Sequence, residues 1–168
     1  PSPQVFVFDR LGGDRLVGQV TCRPYRRGQD AAVAIAELGR IAAGVVGTDL
    51  LVFWEEFDLR TSLYGSSEQH PKALVILQAT LQSHFLTWFP FESDVLSWRA
   101  NGLPDDVRIR RGAPTDTVEG AQLSEPIYRL LALWRAGIVA YDFDECRRIV
   151  TSAVKDGYDV SFVTQSHD

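Results

Sequence analysis

The chain has 168 residues, 45% of them hydrophobic and 23% charged, with a formal net charge of −5. That composition is ordinary for a soluble globular protein of one domain, long enough to bury roughly 70% of its unfolded surface. The acidity argues against the general basic field that holds proteins on nucleic acid. No apolar run approaches the ~18 residues needed to cross a bilayer, so neither nucleic acid nor membrane is an expected partner.

Residues 4–10 alternate as a short strand, with Val5 and Val7 on one face and Phe6 and Phe8 on the other. Gly12, Gly13 and Asp14 suit a hairpin turn, and residues 16–23 return as a second strand. A helix is predicted over 31–46, capped by Asp30, with Ile35, Leu38, Ile41, Ala42 and Val45 at helical spacing. Its many Ala and Gly residues predict close packing against a sheet or a second helix.

The stretch 48–59, TDLLVFWEEFDL, reads as the central strand, rich in β-branched and aromatic residues and free of Gly and Pro. Alternation places Leu51, Phe53, Glu55, Phe57 and Leu59 on one face. Residues 60–72 read as a loop, 73–81 as a buried strand pairing antiparallel with the central one, and 84–91 as a further strand. Pro90 puts the end of that strand at an edge. Residues 92–123 carry Gly102, Pro104, Gly112, Pro114 and Gly120 and read as a long irregular excursion, with a short edge strand at 107–110.

Ser124 is predicted to cap a helix in which Ile127, Leu130, Leu131 and Trp134 share a face and Gly137 is the stop. Asp142 with Glu145 predicts the start of a last helix, and residues 158–164 a closing strand. The expected fold is therefore α+β, one domain over 1–168, with a largely antiparallel sheet of five or six strands and three helices packed on it.

Motifs for dinucleotide, phosphate or nucleophile-elbow chemistry are absent, and Cys22, Cys146 and the three histidines have no metal-ligand spacing. Cofactor and metal are therefore both expected to be none, and the two cysteines to be free. The first residues, PSPQVFVF, do not have the pattern of a signal peptide, so a cytoplasmic location is expected.

Glu55, between two phenylalanines, is a carboxylate whose desolvation would suit acid–base work, with Asp58 and His84 as further catalytic candidates. The bland alternative pairs Glu55 with an arginine such as Arg60. Arg108, Arg110 and Arg111 form the clearest basic cluster, which fits either a grip on a phosphate or an acidic partner or a charged edge strand. Trp98 is near in sequence as a stacking surface. Trp54 and Trp88, with Phe89 and Phe91, form either core or a hydrophobic interface or ligand cleft.

Two functions follow. One is a non-catalytic protein-binding or regulatory domain (an inhibitor, an immunity or antitoxin-like protein, or an adaptor) acting through the aromatic and Arg-rich surface, with another protein or a second copy as partner. The other is a small carboxylate-dependent hydrolase or nuclease.

Overall fold

The structure is a computed structural model and describes residues 2–11, 13, 15–100 and 104–163, with the backbone alone at 95, 98 and 104. The turn residues Gly12 and Asp14, and His167, lie outside the described residues.

Strand β1 (Gln4–Asp9) pairs antiparallel with β2 (Arg15–Thr21) on one side and β3 (Asp49–Glu55) on the other. Helix α1 (Gln29–Val45) carries the chain from β2 over β1 to β3. Helix α2 (Glu56–Tyr64) follows at once, then β4 (Ala73–Ala79), β5 (His84–Trp98), β6 (Pro104–Arg111) and the short β7 (Val118–Glu119). Helices α3 (Glu125–Val139) and α4 (Phe143–Lys155) precede β8 (Asp159–Phe162). The sheet runs β6-β5-β4-β3-β1-β2-β8, with β7 beside β5 and every pairing antiparallel. This is a single-domain α+β fold, with eight strands and four helices among the described residues where five or six and three were expected.

One face of the sheet builds the core. Val5, Val7, Val20, Val52, Val75 and Leu77 point into a cluster with Ile35 and Leu38 of α1 and Ile127, Leu130 and Trp134 of α3, all essentially without exposure. Helices α3 and α4 flank α1 on that face, and Leu59 of α2 closes its end. The small residues of α1 serve the close packing their number predicted. A Cβ on Gly39 would lie 1.9 Å from the Leu130 carbonyl oxygen. Among the described residues no helix is long and apolar enough to cross a membrane.

Several boundaries differ from expectation, each for a local reason. The central strand ends at Glu55, whose carboxylate accepts the N–H groups of Phe57 at 3.0 Å and Asp58 at 2.8 Å and so caps α2. Glu56 and Asp58 then sit in the first turn, where the helix dipole favours anions. These carboxylates outweigh the strand preference of Phe57, and residues 60–64 are helix rather than loop.

The expected excursion at 92–123 is also more ordered. β5 continues through Trp98 and pairs with β6 from Phe91–Arg111 to Trp98–Pro104. Its polar residues show no hydrophobic alternation because neither face of this hairpin is covered. Residues after Arg111 run back along β5, where Gly112 N–H donates to Pro90 O at 2.8 Å and Thr115 N–H to Trp88 O at 2.9 Å.

Helix ends complete the corrections. Ser124 stands at the N-cap of α3 without a side-chain cap bond. Gly137 does not stop α3, which runs on to Val139, because its missing Cβ leaves room for Ala43 of α1. Asp142 caps α4 as predicted, accepting Glu145 N–H at 2.8 Å.

Asp30 lies within the first turn of α1, not at its cap. It accepts Arg26 N–H at 2.7 Å and the Arg23 guanidinium at 2.6 Å. That arginine bond, and then the backbone bond, lower its pKa from 3.8 to about 2. A depressed carboxyl adds stability above its unfolded pKa and loses it as pH falls through the folded one. Asp30→Asn is therefore expected to flatten the fall of the urea midpoint between about pH 4 and pH 2. An equally steep fall in the variant would disprove this role.

Candidate functional site

The expected catalytic residues do not converge. Glu55 pairs across to Leu74 at one end of β4, whereas His84 pairs with Ala79 at the other end. Five residues of strand separate the two rows by roughly 16 Å, and Leu74 and Ala79 point to opposite faces. Burial pushes the Glu55 carboxyl up, against the two cap bonds that lower it. His84 Nε2–H donates to Ala121 O at 2.8 Å and ties the returning chain to β5. Asp58 stands in the first turn of α2. Among the described residues no three His, Cys, Asp or Glu side chains are placed to hold a metal ion. Cys22 and Cys146 are both free and buried, and burial raises the Cys22 thiol to about 12.

The arginine expected on Glu55 is found one residue on. Arg60 Nε donates to Glu56 at 2.6 Å, one helical turn away, and the other Glu56 oxygen accepts Trp54 Nε1–H at 2.6 Å. Glu56 is 6% exposed and Trp54 5%, whereas 42% of the Arg60 side chain is exposed, so a buried indole–carboxylate pair reaches solvent through the arginine, and all three line a cleft of about 290 Å³. Trp88 and Leu86 line one wall of the cleft, Leu63 and Tyr64 of α2 another, and Ser124 the third. The i, i+4 spacing of Glu56 and Arg60 was a visible signal, but only to a reader who had assigned helix there.

The tryptophans divide. Trp54 and Trp88 pair through Val75 and face the helix layer, so both belong to the core side. Phe89 alternates with Trp88 and joins the opposite face, so the four aromatic rings do not form one cluster. Trp98 ends β5, and its side chain lies outside the described residues.

The three arginines do share one structure. Beyond Phe91, among the described residues, β5 and β6 pair only with each other and form a hairpin arm. Every described side chain of β6 is exposed, including Val107 and Ile109. On one arm face Arg110 bonds Asp94 at 2.9 Å, and Arg108 stands opposite Asp94 in register. Arg108 and Arg111 make no ion pair among the described residues. Among the described residues the outer edge of β6 pairs with no strand. Such an edge offers a row of unpaired N–H and C=O groups, here beside a run, Val107 to Arg111, with three positive charges and no acid.

The chain matches no protein-family model, no curated protein and no solved structure.

Proposed function

We propose that the chain is a non-catalytic protein-binding domain whose β5–β6 arm takes up an extended acidic segment of a partner protein as an added strand. The observation that carries this reading is the exposed, unpaired edge of β6 over Val107 to Arg111. Strand addition draws affinity from main-chain hydrogen bonds and specificity from alternate side chains. Val107 and Ile109 supply apolar contacts on one side of that edge, with the charge of Arg111 beside them, and Arg108 supplies charge on the other, where Arg110 is held by Asp94 and Glu92. The same charges oppose pairing of β6 with β6 of a second copy, so they select an acidic segment over a like one.

The hydrolase or nuclease reading has less behind it. Both Glu55 oxygens are engaged at the α2 cap, and both Glu56 oxygens are bonded, one by Trp54 and one by Arg60.

The test is a tagged pull-down from host lysate, with wild type beside Arg108→Ala/Arg110→Ala/Arg111→Ala. A stoichiometric partner bearing an acidic extended segment, retained by wild type, weakened by added salt and lost in the variant, is the expected result. A partner held equally by both proteins would overturn the arm as the binding surface.

A further inference from the structure

The cleft over Trp54, Glu56 and Arg60 is separate from the β5–β6 arm and is built from three parts of the chain. Leu63 of α2, Trp88 of β5 and Leu123, just ahead of α3, line it. All three side chains are half-buried and pack against the core, so the walls are fixed while part of each stays open. At about 290 Å³ the cavity stands at the small end of ligand sites.

Its charge is asymmetric. Among the described residues, Glu56 and Arg60 are the only charged side chains that line the cleft. Both Glu56 oxygens are taken, one by the Trp54 indole and one by Arg60 Nε, so the buried carboxylate has little to offer a cation. Arg60 spends only its Nε there. Its two terminal nitrogens bond no other described group, and 42% of the side chain is exposed. The bond to a buried carboxylate also holds the guanidinium in place. A fork fixed beforehand costs less to engage than that of a freely moving surface arginine.

We infer that the cleft binds a small organic carboxylate with a planar apolar body. The carboxylate takes paired hydrogen bonds from the terminal nitrogens of Arg60, and the body lies along Trp88, Leu63 and Leu123. The volume limits the ligand to one or two rings and leaves no room for a dinucleotide. Glu56 and Arg60 together carry no net charge, so a singly charged head is repelled less by Glu56 than a doubly charged phosphate would be. The site stands apart from β6, whatever β6 binds.

Naphthoate titrated into the isotope-labelled full chain, followed by NMR through the indole N–H signals, tests this. Naphthamide, with the same rings and no charge, and inorganic phosphate, with charge and no rings, are the matched probes. The Trp54 and Trp88 signals should shift and saturate, with half-saturation at or below about 1 mM. The Trp134 signal, from the centre of the core, should stay in place. Naphthamide should bind at least tenfold more weakly, and phosphate should leave both signals unmoved.

Arg60→Ala should weaken naphthoate at least tenfold. Arg60→Lys keeps a counter-charge for Glu56 should the alanine variant fail to fold. Its single ammonium lacks the fork, so the same loss is expected. Arg108→Ala/Arg110→Ala/Arg111→Ala should bind naphthoate as wild type does. Absence of a saturable shift at about 10 mM naphthoate overturns the inference. Equal affinity for naphthamide, equal shifts with phosphate, undiminished binding by Arg60→Lys, or loss of binding in the arm variant would each overturn it as well.

Discussion

Gly39→Ala should cost the protein about 3 kcal/mol of folding stability, although alanine is the better helix former by about 1 kcal/mol. The added methyl would lie 1.9 Å from the Leu130 carbonyl oxygen, 2.7 Å from its carbonyl carbon and 2.9 Å from its Cα. These are backbone atoms of α3, so no rotamer change relieves the clash. The helices must separate, which loosens Leu130, Leu131 and Trp134 against Ile35 and Leu38 in the centre of the core. Gly44→Ala is the matched comparison. Its Cβ would meet Cys146 O at 3.2 Å and the γ2 methyls of Val150 and Ile149 at 3.2 and 3.4 Å, so shifts of a few tenths of an ångström suffice. Urea unfolding of both variants reads the difference. Equal midpoints for Gly39→Ala and wild type would mean that α1 and α3 do not approach this closely.

The second large effect is expected at Glu56. Glu56→Ala removes the acceptor of the Trp54 indole N–H and the counter-charge of Arg60 together. The Trp54 indole N–H loses its charged acceptor, while Arg60, with 42% of its side chain exposed, can turn to solvent. The loss is expected to be about 2 kcal/mol, in the range for leaving a buried donor without its partner. Glu56→Gln keeps an acceptor for the indole and should cost only about 1 kcal/mol. Denaturant midpoints, with the Trp fluorescence as a local probe of Trp54, separate the two variants. A near-neutral Glu56→Ala would show that the triad contributes nothing to the fold.

The contrast between Glu55 and Glu56 marks where sequence reading stops. From the sequence, the run from Thr48 to Leu59 alternates well enough to be one strand, and Glu55 is its odd residue. In the fold, Glu55 ends the strand and Glu56 is the buried charge. Strand alternation and the first turn of a capped helix look alike over four residues, and the choice was made by Leu59 reaching the core. The arm was hidden for the opposite reason. Its arginines were legible as a cluster, but a hairpin with neither face buried carries no apolar period to announce it.

By itself the sequence determined what depends on near neighbours: the 3.6-residue periods of α1, α3 and α4, the alternation of β1 and β4, the Asp142 cap and the antiparallel character of the sheet. The periods, the alternation and the cap follow from side chains a few positions apart, and the antiparallel character from the order of the elements and the short links between successive strands. Only the tertiary structure decided which face of the sheet the helices cover, which glycines let α1 and α3 approach, and that Phe6, Phe53 and Phe85 share the opposite face. Those outcomes depend on residues far apart in the chain meeting in a particular register, and alternation alone assigns two apolar faces to a strand without saying which is covered.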